Sequence, residues 1–193
     1  MRSIKGAPGL DFEAWDEMSA DRRPASDSSH YNQLMILAVM TISDRCSRGE
    51  MADTAGPSVV ALLRQQWPEA EIATSLLADD EDAIATELQR LCAAGAALVL
   101  TVGGTGLGPR DRTPEATRRV IDREAPGLAE AMRVHGATSN KYAWLSRAVA
   151  GMKGSTLIVN LPGSKRGAEE SVSTILPLLK HGIEVAAGGQ RHP

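Results

Sequence analysis

One stretch constrains the fold more than any other: Ala97 to Pro114, ALVLTVGGTGLGPRDRTP. It opens as a short apolar run, Ala97-Leu98-Val99-Leu100-Thr101-Val102, β-branched at its end, which reads as a buried strand. It then breaks into Gly103-Gly104-Thr105-Gly106-Leu107-Gly108-Pro109. Glycines this dense supply left-handed backbone and let a bulky ligand approach bare N–H groups. Arg110-Asp111-Arg112-Thr113 adds charges and a hydroxyl, with Thr113 as expected N-cap and Pro114 as expected first helical residue. Strand, glycine turn, charges and capped helix together describe a phosphate-handling site at the carboxyl end of a parallel strand. The plainer alternative is a flexible surface loop. The stretch is not a P-loop, since no Gly-Lys-Ser/Thr ends it, nor the dinucleotide fingerprint, since Pro109 stands where the third glycine belongs.

The chain around this stretch alternates strand and helix signals. Leu34 to Ile42 is the first expected strand, and it ends in Ser43-Asp44-Arg45-Cys46-Ser47-Arg48-Gly49. Small hydroxyls and charges there occupy the ligand-binding edge of an open α/β sheet, or else form a solvated Asx-type turn. Cys46 is placed in that loop. Asp53 to Gly56 leads into a helix striped by Val59, Val60, Leu62, Leu63 and Trp67 and stopped by Pro68. Ala70 to Leu77 is the second strand, closed by Ala78-Asp79-Asp80-Glu81-Asp82. The run of carboxylates either complements a helix macrodipole or turns one or two groups toward a metal ion carried by a nucleotide. Ile84, Leu88 and Leu91 mark a helix to about Ala94, with Gly95 as C′ residue.

Beyond the glycine turn, a helix over Pro114–Asp122 breaks at Ala125-Pro126-Gly127, and a second follows from Leu128 to His135. Leu128, Met132 and His135 share one face of it, with His135 read as a helix-end residue. A turn at Lys153-Gly154 joins the segment before it to a strand over Ser155–Asn160, and strands joined that closely pair antiparallel. A second glycine-rich turn, Leu161 to Gly167, precedes a last helix marked by Val172, Ile175, Leu176 and Leu179. Pro177 inside that pattern implies a kink or a boundary. The order predicts a three-layer α/β/α domain over 34–185, with a mostly parallel sheet and one antiparallel hairpin strand. Residues 1–33 show no sustained period and read as a disordered or loosely docked extension. Within them Leu10, Phe12, Trp15 and Met18 are spaced for one short amphipathic helix. Residues 186–193 read as a polar tail.

Composition narrows the function classes. A net charge of −3 and an aromatic share of 3% argue against nucleic acid, which rewards basic fields and stacking platforms. Two cysteines, Cys46 and Cys92, are too few for a disulfide framework, and Cys92 reads as a small core residue. No apolar run approaches the roughly 20 residues of a membrane span, and no signal-peptide pattern opens the chain. The cytoplasm is the expected compartment.

Six strings, in order, resemble the molybdopterin-binding family of MogA/MoaB-type molybdenum-cofactor proteins and the gephyrin G domain. They are TISDR at Thr41–Arg45, ADD at Ala78–Asp80 and GGTG at Gly103–Gly106, then RD-x-TPEAT at Arg110–Thr117, LSR at Leu145–Arg147 and NLPGS at Asn160–Ser164. The resemblance covers about Leu34 to His181. It implies a Rossmann-like domain, commonly assembled as a homotrimer, and two essential acids matching Asp80 and Asp111. The implied activity is molybdopterin adenylyltransfer, in which AMP passes from ATP to the molybdopterin phosphate with release of pyrophosphate. Mg²⁺ would be held through the nucleotide by Asp80 and Asp111. The implied substrate-binding residues are Ser43 and Asp44 after the first strand, and Gly103, Gly104, Thr105, Gly106, Arg110, Thr113 and Pro114 around the glycine turn. Ser146, Asn160, Pro162, Gly163 and Ser164 complete them. Other molybdenum-cofactor synthesis proteins are implied partners. Some members are non-catalytic binding proteins whose string departs from RD-x-TP. This chain keeps Arg110, Asp111, Thr113 and Pro114, which favours the enzyme over a non-catalytic pterin carrier. A dinucleotide-cleaving hydrolase of the same fold is a third reading, and the glycine turn does not separate it from the other two. Arg112 and Lys165-Arg166 depart from the family's usual residues and bear on the pterin end.

Overall fold

The structure, a computed structural model, describes residues 35–188. The readings of residues 1–33 as an extension and of residues beyond 188 as a tail lie outside the described residues. Six strands form one sheet: β1 (Ile36–Ile42), β2 (Glu71–Leu77), β3 (Leu98–Val102), β4 (Arg123–Glu124), β5 (Ala150–Lys153) and β6 (Thr156–Leu161). Their order across the sheet is β2-β1-β3-β6-β5-β4. β1 pairs parallel with β2 and β3, and β3 with β6, whereas β5 pairs antiparallel with β6 and β4 with β5.

Helices cover both faces because the central strands are apolar on both. Leu37, Val39, Leu98, Leu100, Val102, Leu157, Val159 and Leu161 face one way. They pack against α2 (Ala55–Gln66), α5 (Pro126–Ser139) and α6 (Lys165–Ala186). Ile36, Ala38, Met40, Ile42, Val99 and Ile158 face the other way, against α3 (Glu81–Ala93) and α4 (Thr113–Val120). The side-chain period of two thus builds two cores from one set of strands. Ile84, Leu88 and Leu91 are the buried stripe expected of α3, and Gly95 follows its C-cap at φ +82°. This is the three-layer α/β/α arrangement the sequence predicts.

Several local expectations are corrected. The break after α4 contains β4, whose two residues pair with Gly151 and Met152 at the sheet edge. The hairpin between β5 and β6 is there, but its turn is Gly154-Ser155, since Lys153 still pairs with Thr156. Pro177 neither ends α6 nor bounds it. Pro177 and Ser173 one turn earlier both lie on the exposed face, where water can serve the carbonyl left without a donor. α5 runs on to Ser139 and buries Ala129 and Met132, so His135 is an exposed mid-helix residue. Cys46 is not in an open loop; it is the buried residue of the one-turn helix α1 (Asp44–Ser47). Cys92 is half-buried beside the second core, and burial pushes its thiol pKa up. No helix among the described residues is long and apolar enough to cross a membrane.

Candidate functional site

In the order 2-1-3, the chain leaves β1 toward one side and β3 toward the other, so the sheet has a switch point between their carboxyl ends. Ser43 follows β1 there and Gly103 follows β3. Gly103 and Gly104 take φ of +114° and +63°. A Cβ on Gly103 would stand inside the Ile42 carbonyl oxygen, and one on Gly104 would overlap the Thr113 hydroxyl. Gly106 and Gly108 lack positive φ. Their absent side chains instead admit the Asp111 carboxylate, which lies 2.9 and 2.6 Å from where their Cβ atoms would be. The turn is therefore glycine-rich for two reasons, one conformational and one steric.

Asp111 is half-buried, and its Oδ2 accepts the Gly108 N–H at 2.7 Å. Thr113 is not the N-cap of α4 but its first residue, following Arg112. Its buried hydroxyl donates to the Gly103 carbonyl at 2.9 Å, and its N–H reaches the Gly104 carbonyl. Arg147 approaches from the strand-free segment before β5. Its N–H donates to the Thr105 carbonyl, its Nε to the Gly106 carbonyl at 2.6 Å, and its two Nη atoms to the Asp111 carbonyl and the Glu115 carboxylate. Burial is the largest influence on Glu115 and raises its pKa, but the hydrogen bond from Arg147, a backbone hydrogen bond and the charges of Arg147 and Arg112 together outweigh it and hold the carboxylate below its ordinary range.

The acidic run after β2 divides its work. Asp80 is the N-cap of α3, its Oδ1 accepting the Ala83 N–H at 2.8 Å. Glu81 and Asp82 share Arg119 at 3.2 and 2.8 Å. Asp79 turns toward the glycine turn: its Oδ1 lies 3.1 Å from the position of a Cβ on Gly104. Its other oxygen accepts the Asp44 N–H at 2.9 Å, and the Asp44 carboxylate accepts the Asp79 N–H at 3.1 Å. Burial first, then repulsion from Asp44 and Asp111, raises the Asp79 pKa against the pull of that hydrogen bond and of Arg110. Arg110 grips Asp44 with two nitrogens at 3.0 and 2.9 Å. That hydrogen bond, foremost, lowers the Asp44 pKa. Asp79 is a residue the sequence reading passed over in favour of its neighbour. Its only sequence signal is its place two residues past a parallel strand.

A cleft of about 500 Å³ opens beside the turn. Of the residues expected at the site, it is lined by Gly104, Thr105, Gly106, Asp111, Ser146, Pro162, Gly163 and Ser164. Ser164 also caps α6 through the Gly167 N–H. Met132, Arg133, Tyr142 and Leu145, from α5 and the 3₁₀ turn Lys141–Leu145, form a wall; Leu145 opens the LSR string, but the sequence reading does not single out the other three as site residues. The helical pattern of α5 was the one available signal. Ser43 lies outside the cleft lining and caps α1. Asn160 is wholly buried and outside the cleft lining: its amide donates to Thr101 and Thr117 at 3.0 and 2.8 Å, and its Oδ1 accepts the Val149 N–H at 3.1 Å. Pro114 is also buried.

The family model described as "Probable molybdopterin binding domain" matches residues 38–181. The chain is 35% identical over 161 residues to a molybdopterin adenylyltransferase of Helicobacter pylori, covering 81% of this chain and 90% of that protein. It is 37% identical over 148 residues to the molybdenum cofactor synthesis protein cinnamon of Drosophila melanogaster, covering 76% of this chain and a quarter (25%) of that longer protein. A molybdenum cofactor biosynthesis bifunctional protein of Synechococcus elongatus is 39% identical, with 47% of its length covered and 78% of this chain. The chain thus spans half or less of these two relatives. Among solved structures, the molybdopterin biosynthesis enzyme MoaB of Thermus thermophilus superposes with a TM-score of 0.73 at 43% identity, covering 80% of this chain and 98% of that one. The Mog protein of Mycobacterium ulcerans gives 0.76 at 33% identity, covering 81% and 99%. With the glycine turn at the switch point of a matching fold, and the family model spanning most of the described residues, this chain belongs to the molybdopterin-binding domain family of molybdenum cofactor biosynthesis.

Proposed function

We propose that this protein is a molybdopterin adenylyltransferase. One observation carries the reading: a single cleft joins the bare backbone of Gly104–Gly106 and the half-buried Asp111 to an apolar wall of Met132, Tyr142 and Leu145. The wall suits a flat ring system, and the turn suits the phosphate attached to it. Gly103, Gly104, Thr105 and Gly106 shape the cradle, Thr113 and Pro114 brace it, and Ser146, Pro162, Gly163 and Ser164 close its far side. Ser43, Asp44 and Arg110 border the nucleotide side, where Arg110 exchanges Asp44 for a phosphate. Asn160, outside the lining, holds Thr101 and Thr117 in place.

In the reaction, a terminal phosphate oxygen of molybdopterin attacks the α-phosphorus of ATP. The bond from that phosphorus to the α–β bridging oxygen breaks, and the electron pair leaves with pyrophosphate. The protein's part is alignment and charge neutralisation rather than covalent catalysis. Among the described residues no group of three or more His, Cys, Asp or Glu side chains converges to hold a metal ion. Two separated carboxylates fit an ion that brings phosphate and water ligands with it, and Asp80 and Asp111 are the residues that would hold Mg²⁺ on the nucleotide. Mg²⁺ there would supply positive charge to the phosphates. A cytoplasmic homotrimer that exchanges molybdopterin with other cofactor-synthesis proteins belongs to the same reading, and sedimentation equilibrium tests the trimer.

The test is to mix the purified protein with molybdopterin, ATP and Mg²⁺ and to follow adenylylated pterin and pyrophosphate. Equal amounts of the two products are expected. Tight pterin binding without pyrophosphate would make the protein a carrier.

A further inference from the structure

We propose that Arg147 is a positioning residue for the transfer, one that never touches substrate and fixes the loop carrying Asp111. This rests on the adenylyltransfer reading above. Arg147 is not part of the cleft lining. It holds both ends of the loop at once: at the start its backbone N–H takes the Thr105 carbonyl and its guanidinium the Gly106 carbonyl, and the guanidinium also takes the Asp111 carbonyl at the end and Glu115 in the first turn of α4.

Beyond Arg147, the loop's side-chain tie to the rest of the sheet edge is the exposed Arg110–Asp44 pair. Leu107, Gly108, Pro109 and Arg110 are exposed. Gly106 and Gly108 offer no side chain to pack. Within the loop, the Asp111 N–H reaches the Gly108 carbonyl, and the Gly108 N–H reaches the Asp111 carboxylate. Those two bonds tie Asp111 to the loop, Arg110 ties the exposed part of the loop to Asp44, and Arg147 joins the carbonyls at its start to the one at its end. A planar guanidinium serves three acceptors in fixed directions, whereas an ammonium is a point charge with no such fork. Arg147 is itself braced from behind, because Arg133 donates to the carbonyls of its neighbours Ser146 and Ala148 at 3.3 and 3.2 Å. It also places a cation against Glu115, so the half-buried carboxylate behind Asp111 is offset.

The experiment compares the unsubstituted 193-residue chain with Arg147→Lys and Arg147→Ala. Lys keeps the charge beside Glu115 and so protects the fold if the alanine variant fails to form. Three readouts are taken: hydrogen exchange of the 105–112 segment, the separate kcat and KM for molybdopterin, and recovery of Arg147→Ala by added guanidinium ion. In Arg147→Lys, exchange in 105–112 is expected to quicken about tenfold while β1 and β3 stay protected. Its kcat should fall about 100-fold, the scale of an ångström-sized misplacement, with KM changed less than about threefold. Guanidinium should restore part of the lost kcat. Wild-type exchange and kcat in a folded Arg147→Lys would overturn the proposal, as would a loss confined to KM, which would mark a ligand-binding residue. Should the wild-type protein form no adenylylated pterin, the adenylyltransfer reading fails on its own. Loop exchange then decides for Arg147, with quickened exchange supporting the anchoring role and unchanged exchange refuting it.

Discussion

Substituting alanine at Gly103 should cost far more than the same change at Gly95, although both glycines have positive φ. At Gly95 nothing lies within 4 Å of the added Cβ. Left-handed strain of about 1–2 kcal/mol is partly offset by about 0.4–1 kcal/mol from a stiffer unfolded chain, so a net loss near 1 kcal/mol is expected. At Gly103 the same strain applies, and the Cβ also meets the Ile42 carbonyl oxygen, backbone at the end of a fully buried strand. Overpacking of that kind adds about 1–3 kcal/mol. The Gly103 N–H also donates to Leu161 at 3.1 Å, a bond that any local shift weakens by roughly 1 kcal/mol. The total is about 3–5 kcal/mol. For a chain of this size a Tm shift of roughly 2–4 °C accompanies each kcal/mol. Calorimetric melts should therefore show a fall of about 2–4 °C for Gly95→Ala and about 6–20 °C for Gly103→Ala. Equal falls would refute the steric argument and leave Gly103 with a conformational role alone.

Two further outcomes follow from buried and half-buried polar groups. Asn160→Leu strands the Val149 N–H and removes two donors to threonine hydroxyls, so urea unfolding should show a loss of about 2–4 kcal/mol; under 1 kcal/mol would mean Asn160 is not a structural node. Asp79 has a raised pKa in the folded state, so the folded protein binds its proton more tightly than the unfolded chain, and this group costs stability as pH rises above the ordinary aspartate value. Asp79→Asn keeps the acceptor for the Asp44 N–H and should melt higher than wild type at pH 7, with the advantage shrinking as pH falls through the raised folded-state value and largely gone once pH is below about 4. A constant difference across that range would show that the charge is not the cause.

The fold was legible because the strands are apolar on both faces and the helices carry their stripes at regular spacing. The glycine turn was legible because its composition has no packing explanation. What stayed hidden is non-local. Nothing in the sequence says that a guanidinium at 147 serves carbonyls at 106 and 111, because such contacts leave no periodic trace. The two residues of β4 are too few for any period. Thr113 looked like a cap because its hydroxyl type favours caps, yet the folded turn offers it the Gly103 carbonyl instead. In the acidic run, consecutive residues past a strand point different ways. The family string selects Asp80, the geometry turns Asp79 toward the glycine turn, and only the three-dimensional path of the chain separates them.

The measurement closest to the central claim compares wild type with Asp80→Asn and Asp111→Asn for pterin binding and for adenylyl transfer at saturating ATP and Mg²⁺. Asparagine keeps the N-cap of α3 in the first and the acceptor for the Gly108 N–H in the second, so each variant loses charge and little else. Pterin affinity should stay within about threefold of wild type while the transfer rate falls by about two orders of magnitude or more, and the double variant should be little worse than either single one. Near-normal transfer in both single variants would contradict the account.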